Sequence, residues 1–283
     1  MKIATKLTLS ITIIALVVTG LTVAVFYQLQ QKAIEQSLQM QTKAVADEYI
    51  AIRHVIAQNQ DRINYDSAGN FEFKALNPAR VGNMVAEYFN KLSNFKVKQT
   101  SLRYRNPLGA PDEFESEILR QLEKNPEMGT IYKKVTINGK PYYRLMKPIR
   151  IKKSCLPCHG EPAGEIDIAG YPKEGYKLGE LRGAISVIAP MEAAINNMYN
   201  TLKVIGLSGL GLLLLAILAV QTIVREFVQK PIDQLVDAAD RISMGDFDVD
   251  VNVKGEELGR LAKAFNRMKN SLKKSMELLQ DKV

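Results

Sequence analysis

Two uncharged apolar runs divide the chain. They occupy residues 7–27 and 204–224, about 21 residues each, close to the roughly 20 that cross a bilayer as a helix. Between them the apolar positions change period several times. Ile34, Leu38, Val45, Tyr49, Ile52 and Ile56 fall on one helical face, so the first run is expected to continue as a long helix. His54 points almost opposite that stripe, beside Ile50. Ala46, Ile50, Ala51, Val55 and Ala57 make this stretch apolar nearly all round, which predicts burial on more than one side.

Further on, Val81, Met84, Val85, Tyr88 and Leu92 predict a helix over 77–92 with Pro78 near its start. "FKVKQTSLRYR" (95–105) reads as a strand broken by "NPLGAP". "DEFESEILRQL" (112–122) reads as a short helix with Phe114, Ile118 and Leu122 on one face. "GTIYKKVTINGKPYYRLMKPIRI" (129–151) is a pair of strand-like runs about Asn138-Gly139, a strong hairpin signal. After a Gly- and Pro-rich loop, "LRGAISVIAP" (181–190) is a further strand, and a helix from Met191 leads into the second apolar run. The pattern predicts an α+β domain with a small antiparallel sheet.

Charge adds topology. The formal net charge is +8, but no Lys/Arg block forms a nucleic-acid stripe, and "IRIKK" (149–153), the densest, reads as a solvated face. Residues 225–283 balance eleven basic against eleven acidic side chains. Lys2 and Lys6 precede the first run, and Arg225 and Lys230 follow the second, which puts both termini in the cytoplasm by the positive-inside rule. A signal peptide also fits the first run, yet it is longer than a usual signal core and no small-x-small site ends it. The expected division is a cytoplasmic N-terminus (1–6), a first span (7–27), an outer domain (28–203), a second span (204–224), a cytoplasmic module (225–278) and a C-terminal end (279–283).

The chemistry is concentrated in "SCLPCHGEP" (154–162), which holds both cysteines and one of the two histidines. Cys155-Leu156-Pro157-Cys158-His159 is the C-x-x-C-H pattern of c-type haem attachment. Two thiols add across two vinyl groups of one porphyrin, and the next residue offers an imidazole to the iron. Three other readings each meet an obstacle. A thioredoxin-like pair opens a helix within a βαβ unit, and none is visible. A structural zinc site wants four Cys/His ligands, and this chain holds four in all, with His54 far off. A plain disulfide leaves the adjacent histidine without a purpose.

For the sixth iron ligand, His54 is the one remaining imidazole; the alternative reading is a surface helix histidine. Met84, Met128 and Met146 are further candidates, although buried methionine is more often packing. Lys147, Arg150, Lys152 and Lys153 precede the motif and offer partners for haem propionates, or a solvated face.

Past the second span, Ile232, Leu235, Ala239 and Ile242, then Leu258, Leu261, Phe265, Met268 and Leu272, make a heptad seam broken once. A single helix cannot bury it. With Pro231 opening the first helix, Gly245-Asp246 in the connector and Glu256-Glu257-Leu258-Gly259 starting the second, residues 225–278 resemble the HAMP linker module. That resemblance implies a parallel four-helix bundle built from two chains, hence a homodimer. "SLRYRNPLGAPDEFE" (101–115), "YYRLMKPIRIKKSCLPCHG" (142–160) and "GYKLGELRGAISVIAP" (175–190) resemble the PAS-like c-type haem-binding periplasmic sensor domains. The likeness covers most of 30–195 and implies a sensing role.

The reading that joins these parts is an inner-membrane receptor with one covalent haem c. Its periplasmic domain senses redox state or a diatomic ligand, and HAMP relays the change. No histidine follows His159, so output is expected from a separate cytoplasmic partner, or from a longer receptor of which this is a fragment. A membrane-anchored monohaem cytochrome for electron transfer is the competing reading, and it leaves HAMP without a role. An enzyme acting on peroxide or nitrogen oxides has no recognisable constellation.

Overall fold

A computed structural model describes residues 3–253 and 255–280. Met1, Lys2 and Lys254 lie outside the described residues, as do the last three positions of the expected C-terminal end. The chain forms two compact units, one of residues 28–200 and one of 1–27 with 201–283.

The first unit is built on a four-stranded antiparallel sheet. Its strands are β1 (Lys96–Thr100), β2 (Ile131–Ile137), β3 (Lys140–Arg150) and β4 (Leu181–Pro190), in the order β1-β4-β3-β2. Pairing follows from residues that like a pleated, half-buried surface. Leu145 faces Val187 across β3 and β4, and Val97 faces the same Val187 from β1. β2 and β3 turn at Asn138-Gly139, where both residues have positive φ (50° and 77°), as a tight hairpin of matching twist requires.

Because strand side chains alternate, the sheet has two covered faces. On one, Val97, Leu145, Ile185 and Val187 pack against Ala46 and Tyr49 of the long helix α1 (Ile3–Gln58) and Ala86 of α3 (Pro78–Leu92). A short α2 (Gln60–Asn64) lies between those two helices in sequence. On the other face, Met146 and Ala184 meet Ile118, Leu119 and Leu122 of α4 (Glu113–Lys124). Asp112 caps α4 by a reciprocal box with Glu115, its side chain accepting from the Glu115 N–H at 2.7 Å. Glu115 is fully buried and meets Arg144 and Lys98, both at 2.8 Å, so its charge is compensated rather than stranded.

Two expectations change. The strand expected over 95–105 stops at Thr100, because Arg103 and Arg105 leave the ladder for partners outside the sheet. α1 buries Leu38, Thr42, Ala46 and Tyr49, but Ala51, Ile52 and Val55 stay exposed on the single chain.

In the second unit, α6 (Glu192–Val224) runs through a five-residue π turn, Arg225–Gln229, into α7 (Lys230–Ser243). Pro231 follows that turn; its ring clashes with a regular preceding turn, and a wider turn relieves the clash. α8 (Glu256–Gln280) completes the region. The connector contributes to the packing. Alternate residues Val249, Val251 and Val253 bury against Leu235, Ala238 and Ala262, and the Asn266 side-chain amide donates to the Val251 carbonyl at 2.9 Å. α1 and α6 each contain a stretch long and apolar enough to cross a membrane, and no residue of its most apolar part is buried within the chain.

Candidate functional site

The motif folds as two tight turns, a 3-10 turn at Lys153–Cys155 and a single helical turn α5 (Leu156–His159). Pro157 suits the start of α5, where no N–H partner is missed. Gly160 ends it with its N–H on the Leu156 carbonyl at 2.8 Å. A Cβ there would lie 2.7 Å from that same oxygen, so a larger residue after the histidine would force the turn to shift. Both cysteines are free thiols of intermediate exposure. This geometry projects Cys155, Cys158 and His159 from one short segment.

The segment is held from three sides. The Tyr176 N–H donates to the His159 carbonyl at 2.8 Å. An Arg105 Nη2 donates to the Cys158 carbonyl at 2.8 Å. His159 Nδ1 lies 2.7 Å from Glu174 Oε2, while Arg105 grips both oxygens of Glu174 at 2.6 and 2.7 Å and Asp167 Oδ2 at 2.6 Å. The buried Tyr176 ring stands edge-on to His159, with the Arg103 guanidinium 3.9 Å above it.

Electrostatics sort the protonation states. Burial pushes the His159 pKa down, aided by Arg182, against the opposing pull of Glu174. Burial by itself raises Glu174, but hydrogen bonds from Arg105 and His159 more than reverse it and hold the carboxyl below its ordinary range. The contact is therefore a neutral imidazole whose Nδ1–H donates to a carboxylate, leaving Nε2 as a free base. Burial pushes the Cys158 thiol up, so it stays protonated near neutral pH.

α1 supplies the neighbouring groups. Arg53 Nη1 donates to Gln99 Oε1. Burial pushes its guanidinium pKa down, and its charge is felt by Tyr49, Arg182 and Cys155. Among the described residues no carboxylate pairs with Arg53. The buried Tyr49 hydroxyl has no hydrogen-bond partner, and burial raises it to about 12.

Cys155, Cys158 and His159 come together as expected of adjacent residues. His54 is exposed on α1 one position after Arg53, and among the described residues it makes no hydrogen bond or ring contact with the motif. Met146 is fully buried on the α4 side of the sheet and Met128 packs there too, while Met84 is exposed on α3. Lys147 pairs with Asp47 and Arg150 donates to the Pro126 carbonyl, while Lys152 and Lys153 are exposed and, like Arg53, pair with no carboxylate among the described residues. Sequence reading missed Arg53, Arg105, Glu174, Tyr176 and Arg182. Their separation along the chain carries no signal; Arg105 and Glu174 are 69 residues apart.

Fold and site together define an α+β domain, inserted between two candidate membrane helices, that presents a C-x-x-C-H turn. Residues 30–190, more than half of the chain, match the Tll0287-like family model, and the chain belongs to that family. Residues 225–274 match the HAMP domain. Among curated proteins, a sensory transducer protein of Acetivibrio thermocellus is 34% identical over 68 residues, 24% of this chain and 12% of its own length. Sensor histidine kinase YclK of Bacillus subtilis is 29% identical over 117 residues, 41% of this chain and 24% of its own. Methyl-accepting chemotaxis protein McpA of the same organism is 37% identical over 65 residues, 23% of this chain and 10% of its own. The chain thus spans a quarter or less of these relatives' lengths. The crystal structure of the cyanobacterial haem protein Tll0287 aligns with a TM-score of 0.42 at 22% identity, over 55% of this chain and 95% of that one.

Proposed function

We propose that this chain is the sensing and relay portion of a membrane signal-transduction receptor, with a periplasmic domain carrying one covalent c-type haem. The observation that carries the reading is His159, whose Nδ1–H is held by Glu174 with Nε2 left as a free base beside two unpaired thiols. The residues fit the group: Cys155 and Cys158 supply the thioether sulfurs and His159 the proximal imidazole. Arg53, a half-buried cation that meets no carboxylate among the described residues, suits a propionate, and the orphaned Tyr49 hydroxyl needs an acceptor. When bound, haem supplies a one-electron centre and an iron that takes a diatomic ligand.

The protein's own part is to anchor, orient and relay. α1 bears Arg53 and His54 and is continuous with the first candidate span, so a change felt at those side chains has a rigid element on which to act. HAMP, paired in a homodimer, offers two packings between which such a change can choose. Output passes to a cytoplasmic signalling partner, as suits the local likeness to transducers and a sensor histidine kinase. The role is that of a receptor rather than a catalyst, with both termini cytoplasmic. HAMP residues 225–274 favour this reading over a simple electron carrier.

The test is a visible spectrum of the full chain purified after cytochrome maturation, oxidised, reduced and with carbon monoxide. A c-type spectrum whose pigment resists acid acetone is expected, and Cys155→Ala with Cys158→Ala abolishes covalent attachment. Colourless protein overturns the reading. We also propose His54 as the sixth ligand: His54→Ala should then shift the reduced Soret band and admit carbon monoxide, and an unchanged spectrum removes it from the site.

A further inference from the structure

The loop after the motif returns Glu174 to His159, and the turn after β1 sends Arg105 to the same carboxylate. We propose that Glu174 is a positioning residue for His159: it fixes the ring rotation and tautomer, and its charge strengthens the donor nitrogen so that the oxidised iron is favoured. This rests on the haem reading above and extends it to the group that sets the redox poise.

The geometry allows one tautomer. Glu174 Oε2 sits 2.7 Å from Nδ1, and a carboxylate oxygen only accepts, so the proton is on Nδ1. Glu174 cannot swing away. Arg105 holds Oε1 through Nε at 2.6 Å and Oε2 through Nη2 at 2.7 Å. The fork is itself fixed, since Nη1 is on Asp167 at 2.6 Å and Nη2 also reaches the Cys158 carbonyl at 2.8 Å. Asp167 is anchored in turn by the N–H groups of Ala169 (2.8 Å) and Tyr171 (3.0 Å). Tyr176 closes the edge of the ring and ties the His159 carbonyl. Every carboxylate oxygen from Asp167 to Glu174 and the Nδ1 of His159 thus has a partner, which is how an outer layer of contacts orients a ligating imidazole.

The choice of partner has consequences. A backbone carbonyl would fix the same tautomer with little charge. A carboxylate draws the Nδ1 proton toward itself, gives the ring partial imidazolate character, and so raises the basicity of Nε2. A stronger donor stabilises the higher charge of oxidised iron, and hydrogen bonding around the ligand is one of the protein's levers on haem potential. Arg105 offsets part of that charge, and its fork keeps the carboxylate in line.

The experiment uses the full haem-loaded chain in detergent and reads haem per chain, midpoint potential and the electron paramagnetic resonance g-values of the oxidised form. Glu174→Gln keeps the shape and removes the charge. Unchanged haem content, a raised potential and shifted g-values are expected. Glu174→Asp keeps the charge but draws the oxygen back by one methylene, and should fall between parent and Gln. Parent values of potential and g in a Gln variant that retains haem overturn the proposal. Loss of haem from both variants also overturns it, because that behaviour belongs to a residue that builds the loop. A colourless parent protein overturns the haem reading instead, and is seen before any variant is made.

Discussion

The sensor domain and the HAMP region solve the burial problem differently. In residues 28–200, Ile118, Leu119, Leu122, Leu145 and Ile185 are wholly removed from solvent by contacts within the one chain. In α8, Leu261 is 53% exposed and Met268 52%, although both lie on the heptad seam. A sheet with helices on both faces closes its own core, whereas two amphipathic helices leave half of each apolar stripe uncovered. The first region is therefore expected to be stable by itself, and the second to depend on a further copy of the seam.

The largest test of that contrast is Leu119→Ala. Removing a wholly buried leucine should lower the sensor's unfolding free energy by about 2–5 kcal/mol, read by denaturant unfolding of the full chain. A loss near zero would mean that α4 is not part of a closed core.

Next comes acid. Burial raises the Asp167 carboxyl, but hydrogen bonds from the Tyr171 N–H, Arg105 and the Ala169 N–H pull it below its ordinary value of 3.8. A carboxyl lowered on folding adds stability that is present above its unfolded value and lost as pH falls through its folded one. The sensor should therefore lose stability as pH falls below about 4, and Asp167→Asn should flatten part of that loss while lowering stability at neutral pH. Asp246 is also lowered, by Arg241, but its side chain stays open to solvent on the surface, so Asp246→Asn should leave the acid profile where it was.

The smallest effect on folding, and the sharpest on assembly, is at Leu261. Because the side chain is half exposed, Leu261→Ala should change single-chain stability by no more than about 0.5 kcal/mol. Leu261→Cys in membranes should cross-link between copies, and Lys263→Cys, off the seam, should not. Equal cross-linking at both positions would remove the two-chain seam.

Much of this was legible in the sequence, for identifiable reasons. Helices, strands and the Asn138-Gly139 turn are local, since backbone preference and hydrophobic period act over a few residues. The C-x-x-C-H turn is local too, being five consecutive residues. The connector was harder to read: Val249, Val251 and Val253 alternate with polar residues as a strand would, yet they are buried against two helices without joining a sheet. The end of β1 was misplaced because the ladder does not end by lack of propensity. It ends because Arg103 and Arg105 find stronger partners in Tyr176, Glu174 and Asp167.

Sequence alone determined where the chain is apolar enough for lipid, which five residues form the cofactor-type turn, and which stripes need a partner. Those properties belong to single segments and their periods. Tertiary structure alone decided that Glu174 meets His159, that Arg105 clasps Glu174 across 69 positions of chain, and that Arg53 lies near Cys155 while its neighbour His54 is exposed. Hydrogen bonds and charge pairs act over about 3 Å of space whatever the separation in sequence, and only the folded sheet and its loops bring such residues that close.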